Sequence, residues 1–525
     1  MNNFFIKGAL GLALMVSLPF LASAQKENWQ NLDLKTDSVF GISTEKAYNE
    51  LLKNKRPTKV IVAVNDGGVD VNHEDLKSVI WTNPKEKAGN GKDDDKNGYI
   101  DDIHGWDFLG GKDTAINYET LELTRLVRRD MKRFGSTTDE NVAPKDTAAY
   151  TKFKKARTEY ESKLADAKQN LAGITGFKNA LDELVKHIGK ADPTAEDIAN
   201  YKPQNDMETR IQSVLGKTLQ KMTLKEFYDS QIMEGLKYYG QQADYNLNID
   251  YNPRNIVGDD PDNSKEKFYG NNDVKGPDAL HGSHVAGIIG ADRTNNLGIK
   301  GVANDVAIMG VRVVPNGDER DKDVANGIYY AVNNGAKVIN MSYGKGYSYD
   351  KEAVDAAMNY AAKKDVLIVQ AAGNDNEDID IENNFPNHKG LDQKTIDSWI
   401  TVGASGPTND STLKASFSNF GKTQVDVFAP GVDILSTVAG NDYKKESGTS
   451  MASPVVAGLA ALIREYYPKL SAKQVKEIIV KSVVKVDHNV SYMKGTESVS
   501  VPFSDLCISG GVVNAYNALK LAATY

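Results

Sequence analysis

The chain has 525 residues, 40% apolar and 26% charged, an ordinary globular composition long enough to bury at least one large core. Its net charge of -8 is spread over the whole length and gives no electrostatic case for a nucleic-acid partner. One cysteine, Cys507, excludes an intramolecular disulfide; with no catalytic-thiol pattern around it in FSDLCISGG, it reads as a small buried hydrophobe.

At the N-terminus, MNNFFIKGALGLALMVSLPFLASAQ sets one Lys before an apolar run of about thirteen residues. The small-x-small pattern Ala22-Ser23-Ala24 follows. Residues 1–24 therefore read as a signal peptide, too short in its apolar run to span a membrane, and residues 25–58 as an N-terminal extension. No later segment is long and apolar enough to cross a bilayer, so the processed chain is expected to be exported, periplasmic or extracellular.

From residue 59, short runs rich in Val and Ile alternate with helical patterns. KVIVAVN (59–65), VAIMGVRVV (306–314), AKVINMS (336–342), VLIVQAA (366–372), WITVGA (399–404) and VDVFA (425–429) are apolar on both faces, as strands of a helix-covered parallel sheet are. Helices are expected at about 281–292, 321–334, 350–364, 450–466, 471–483 and 511–523. The alternation predicts an α/β fold, a mostly parallel sheet with helices on both faces, built from residues 59–112 and 251–525. Sites in such folds gather at the carboxyl ends of the strands.

Two segments interrupt that pattern. GNGKDDDKNGYIDDIHGWDF offers Asp93, Asp95, Asn97, Tyr99, Asp101 and Asp102 around a glycine turn, and hard oxygen ligands so arranged suit a structural Ca²⁺. The spacing follows the first nine positions of an EF-hand loop and fails at the twelfth, where His104 stands in place of Glu. Residues 113–250 then form an insertion rich in Lys, Glu, Asp and Ala that reads as long amphipathic helices and holds no chemical motif. Its cluster of Arg125, Arg128, Arg129, Lys132 and Arg133 could bind an anionic partner but reads first as a solvated helix face.

Three stretches end a strand or open a helix and carry chemistry. In VIVAVNDGGVD, Asp66 follows a buried strand; in HGSHVAGIIGA, His281 opens a helix; in SGTSMASP, Ser450 stands at a helix N-terminus, where free N–H groups stabilise an oxyanion. Serine becomes a useful nucleophile only when a base takes its proton, and the base needs a carboxylate on its far nitrogen.

DGGVD, HGSHVAG and GTSMASP, in that order, resemble the three signature segments of the subtilisin-like serine proteases, the subtilases. INMSYG (339–344), AAGND (371–375), ASFSNFG (415–421), VDVFAPG (425–431) and GGVVNAYNAL (510–519) extend the resemblance over about residues 59–110 and 253–523. It implies a subtilisin-like fold and an endopeptidase in which Asp66 orients the base, His281 is the base and Ser450 attacks the scissile carbonyl. Asn374 would join the Ser450 N–H in an oxyanion hole, Ser342, Tyr343 and Gly344 would pair with an extended polypeptide substrate, and His284 would be structural. The resemblance also implies a second calcium site with Asp75 and Asn295 as side-chain ligands.

Three departures accompany it. Gly67 replaces the hydroxyl residue usual after the catalytic Asp, and Asn65 replaces an apolar residue before it. The segment ahead of the first strand is too short for the usual inhibitory prodomain, and the insertion, rooted between the Asp and His motifs, is expected to act as a lid or access element. The rival expectation is a catalytically silent binding protein that retains the fold; a second rival is an acyl hydrolase of esters and small peptides.

Overall fold

The computed structural model describes residues 26–390 and 394–525; the expected signal peptide lies outside the described residues. The chain forms two compact units, a helical one from Leu123 to Tyr251 and a sheet-based one from Ala24–Glu122 and Asn252–Tyr525. Among the described residues no helix is long and apolar enough to cross a membrane.

The sheet unit is an α/β fold around nine strands. In chain order the strands of the unit are β1 (Val60–Asp66), β2 (Gly105–Asp107), β3 (Val306–Arg312), β4 (Val338–Met341), β5 (Leu367–Ala371), β6 (Trp399–Ser405), β7 (Val427–Pro430), β8 (Ile434–Val438), β9 (Asp442–Glu446), β10 (Val484–Lys485), β11 (Asn489–Lys494), β12 (Glu497–Pro502) and β13 (Gly511–Val512). The large sheet runs β10-β13-β7-β6-β5-β4-β1-β3-β2, all its pairs parallel except β10 with β13. Two antiparallel hairpins, β8-β9 and β11-β12, stand apart from it.

Each of the six apolar runs expected to be a strand is one, in the large sheet, because buried parallel strands need apolar side chains on both faces. Side chains alternate across β1 with period two. Val60, Val62 and Val64 enter a core with residues of the helices Leu280–Gly290 and Thr449–Tyr466, while Ala63 enters another with the helices Asp321–Asn333 and Lys351–Lys363. Helices therefore cover both faces. The N-terminal extension is part of this unit: Trp29, Ile42, Ala47 and Leu52 are buried in the first core, and Ala515 N donates to Ile42 O.

The helical unit is built on Thr147–Ile188, a helix stopped by Gly189 in the left-handed region at φ 74°. Leu181 and Leu184 on that helix pack with Ile198, Ile211, Leu215, Leu224 and Phe227, a small core of its own. The basic cluster is only partly a solvated face. Arg129, Lys132 and Arg133 are exposed, but Arg125 is buried and Arg128 donates to the carbonyl oxygens of Ile249 and Tyr251 at 2.7 Å each. The Arg128 head serves there as a cap for main-chain carbonyls.

Candidate active site

The period-two pattern of β1 sends Asp66, the last residue of the strand, to the face covered by the His281 and Ser450 helices, and Asn65 to the other face. Asp66 is 2% exposed. Its Oδ1 accepts from the Gly67 N–H and from His281 Nδ1, both at 2.7 Å. A carboxylate only accepts, so Nδ1 carries the ring proton and Nε2 is left as an acceptor. The helix can come this close because residue 282 is glycine: a Cβ there would stand 2.1 Å from Gly68 O and 3.2 Å from the Asp66 Cβ.

Desolvation pulls the His281 pKa down, but the Asp66 carboxylate together with Glu446 and Asp278 outweighs it, and the ring lies above its ordinary value. The side chain is still 43% exposed, open to a ligand. His284, one turn on, is the opposite case. Fully buried, with Nε2 shared between Ile434 O and Lys444 O at 2.9 Å each, it is pushed down by burial to about 4 and stays neutral.

Ser450 is the second residue of Thr449–Tyr466, a helix with a proline, Pro454, inside it. Proline brings no N–H, so the Ser450 carbonyl loses the donor four residues on. Ser342 Oγ takes that place, donating to Ser450 O at 2.9 Å while accepting from Asn340 Nδ2 at 2.9 Å. Conversely, Ser450 Oγ donates to Ser342 O at 3.1 Å rather than to His281. Asn65 pairs with Met341 across β1 and β4, so Asp66 and Ser342 leave the sheet side by side, and this reciprocal pair ties Ser450 to the same edge.

Asn374 lies just past β5, the next strand. Its Oδ1 accepts from the N–H and the hydroxyl of Thr449, both at 2.9 Å. Two donors on the oxygen identify the other amide atom as nitrogen, so Nδ2 is the face presented outward from an exposed residue beside Ser450. Tyr343 is half-buried and Gly344 exposed, and the next residue, Lys345, already pairs with Phe385 through N–H···O bonds of 3.0 and 2.8 Å.

The departures at 65 and 67 have different consequences. Asn65 faces away from the histidine; a Cβ on Gly327 would stand 3.1 Å from its Nδ2. Gly67 leaves Asp66 Oδ2 buried with no hydrogen-bond partner.

The acidic loop is only partly as expected. Glu86, Asp93 and Asp95 can bring carboxylate oxygens within 4.8 Å of one another, and Glu86 Oε2 is buried without a hydrogen-bond partner, a donor set that fits a hard cation. Sequence reading missed Glu86, which lies outside the spaced motif and is brought in by the turn between residues 87 and 92. Asn97 and Asp102 lie alongside, joined by Asn97 Nδ2 to Asp102 Oδ2 at 3.0 Å. Asp101 departs from expectation: at φ 53° it is turned back to accept from the Asn90 and Gly91 N–H groups. The Tyr99 ring packs in the core between Trp106 and Tyr330, which leaves its main-chain carbonyl, the ligand group at the seventh position of such a loop, unaffected.

Asp75 and Asn295 do come together. Asn295 Nδ2 donates to Asp75 Oδ1 at 2.8 Å, and Oδ2 accepts from Ile299 N and Tyr443 OH, both at 3.2 Å. Both oxygens of that carboxylate accept hydrogen bonds, as both oxygens of Asp93 do in the acidic loop.

Residues 58–496 match the sequence family described as the subtilase family. The thermophilic serine proteinase of Bacillus sp. strain AK1 is 38% identical over 240 residues, 46% of this chain and 52% of its own. Subtilisin DY of Bacillus licheniformis is 39% identical over 222 residues, 42% of this chain and 76% of its own. Thermitase of Thermoactinomyces vulgaris is 36% identical over 241 residues, 46% and 75% of the two chains. The chain thus spans about half the length of the first of these relatives and about three quarters of the other two.

Proposed function

The chain belongs to the subtilase family, and from that premise we propose that it is an exported serine endopeptidase cleaving polypeptides through an acyl-enzyme on Ser450. The observation that carries the reading is the 2.7 Å bond from His281 Nδ1 to a buried Asp66, at the sheet edge that also holds Ser450 and Asn374. Export rests on the pattern of residues 1–24, and polypeptide substrates on the backbone of Ser342–Gly344.

In this mechanism Ser450 Oγ swings from the Ser342 carbonyl toward His281, a rotation about one side-chain bond, and gives its proton to Nε2 as it attacks. Asp66 holds the ring in the useful tautomer and steadies the imidazolium. The developing oxyanion accepts from the Ser450 N–H and Asn374 Nδ2. His281 then protonates the leaving amine, and water, deprotonated by the same ring, releases the acyl group.

A fluorophosphonate probe tests this directly: the wild-type chain is expected to gain one adduct, mapped by mass spectrometry to Ser450, and Ser450→Ala none. The rival, a silent binding protein, has two observations in its favour, the Ser450 hydroxyl turned onto Ser342 and the unpartnered Asp66 Oδ2. Wild type that neither labels nor cleaves peptides would establish it.

The proposal includes a structural Ca²⁺ held by Glu86, Asp93 and Asp95, bracing the loop between residues 83 and 102 in a chain without disulfides and taking no part in peptide-bond chemistry. At calcium about 100 times its dissociation constant such a site stabilises by about 2.7 kcal/mol. Chelation is therefore expected to lower the unfolding temperature by at least about 2 °C, a shift that Asp93→Ala abolishes. Equal melting with and without chelator in the wild type would remove the ion from the account.

A further inference from the structure

Asn374 lies in a loop, outside any strand or helix. The loop leaves β5 at Ala371, turns at Gly373 with φ 102° and at Asn376 with φ 57°, and makes its own bonds to a second loop, residues 414–420. Near the end of that loop is Asn419, 3% exposed.

Four hydrogen bonds from this one residue bracket Asn374. On the N-terminal side Asn419 Nδ2 donates to Ala372 O at 3.0 Å and its own N–H donates to Gly373 O at 2.9 Å. On the C-terminal side its Oδ1 accepts from the N–H groups of Asp375 and Glu377, both at 2.9 Å. Two donors on the oxygen and one acceptor at the nitrogen fix the orientation of the side-chain amide.

Asn374 is thus held from two sides. Thr449, on the helix that carries the nucleophile, donates to its side-chain oxygen and accepts from the preceding Gly373 N–H at 3.1 Å, while Asn419 ties the main chain on both flanks. Fit is tight: a Cβ on Gly373 would stand 2.4 Å from Asn419 Nδ2. Lys414, buried beside the rings of Phe420 and Tyr492, adds a bond from Nζ to Asn376 Oδ1 at 2.8 Å, but it reaches only the far end of the turn.

We propose that Asn419 is a positioning residue for the oxyanion hole, acting on the reaction through Asn374. The inference rests on the reading of Asn374 as an oxyanion donor. A donor contributes to the rate only when it is aimed at the oxygen of the transition state, and small displacements forfeit much of that contribution. Releasing the loop from Asn419 should therefore lower kcat and leave ground-state binding along Ser342–Gly344 in place.

The test is a double-mutant cycle on a peptide substrate, with active sites counted by fluorophosphonate titration so that misfolded protein does not enter kcat. Asn374→Ala is expected to lower kcat about 100-fold or more. Asn419→Ala is expected to lower it about tenfold or more with KM changed less than about twofold, and by less than about threefold once Asn374 is already alanine. Asn419→Asp, which keeps the acceptor for Asp375 and Glu377, should recover part of the loss and provides a second variant if alanine does not fold. Losses at 419 that are the same in both backgrounds, or that vanish on titration, would overturn the proposal alone. No loss from Asn374→Ala would overturn the oxyanion reading and the proposal with it.

Discussion

Ser450→Ala is expected to lower kcat for a peptide amide about a millionfold, to the level left by binding and oxyanion stabilisation alone. The size follows from what the hydroxyl does: without it no acyl-enzyme forms, and His281 has only water to activate. The fold should tolerate the change. In the resting geometry the hydroxyl makes one hydrogen bond, to Ser342 O, and such a bond contributes about 1 kcal/mol net. The contact that replaces the missing Pro454 donor runs through the Ser450 carbonyl, which alanine keeps. Purified Ser450→Ala should thus melt within a few degrees of wild type while hydrolysis disappears. Substantial residual turnover from a folded variant would mean that the nucleophile is elsewhere.

Asp66→Asn is expected to cost about ten-thousand-fold in kcat and to change the pH profile as well. The amide is nearly the same size, so packing beside Gly282 survives, but it presents a donor as well as an acceptor to His281 and no longer fixes the proton on Nδ1. The sign of the pH effect follows from the charge. The base works when neutral, so kcat/KM rises with pH through the His281 pKa, which the Asp66 carboxylate helps to hold above its ordinary value. Removing that charge lets desolvation pull the pKa down, with only Glu446 and Asp278 still opposing it. The acid limb should move to lower pH even as the plateau collapses. A limb that stays in place would show that Asp66 does not govern the base.

Much of the fold was legible because its signal is local. The six apolar runs are contiguous and buried on both faces, so each announces a strand. In the β8-β9 and β11-β12 hairpins, β9, β11 and β12 carry no such run. DYKKE, the whole of β9, is exposed or half-buried along its length and shows no apolar period. In the acidic loop the spacing of Asp93 and Asp95 was visible, but the part played by Glu86 and the retreat of Asp101 depend on how the turns fold.

Short contiguous segments pointed to the family, to the order of its motifs along the chain and to the candidate residues Asp66, His281, Ser450 and Asn374, since a motif is read from neighbours in sequence. Tertiary structure alone decided what those side chains touch. The period of β1 and the missing Cβ of Gly282 let Asp66 reach His281 across more than two hundred residues of chain. Pairing of Ser342 with Ser450, and of Asn419 with both flanks of Asn374, joins loops distant in sequence, and hydrogen bonds of that kind leave no periodic trace for a linear reading to find.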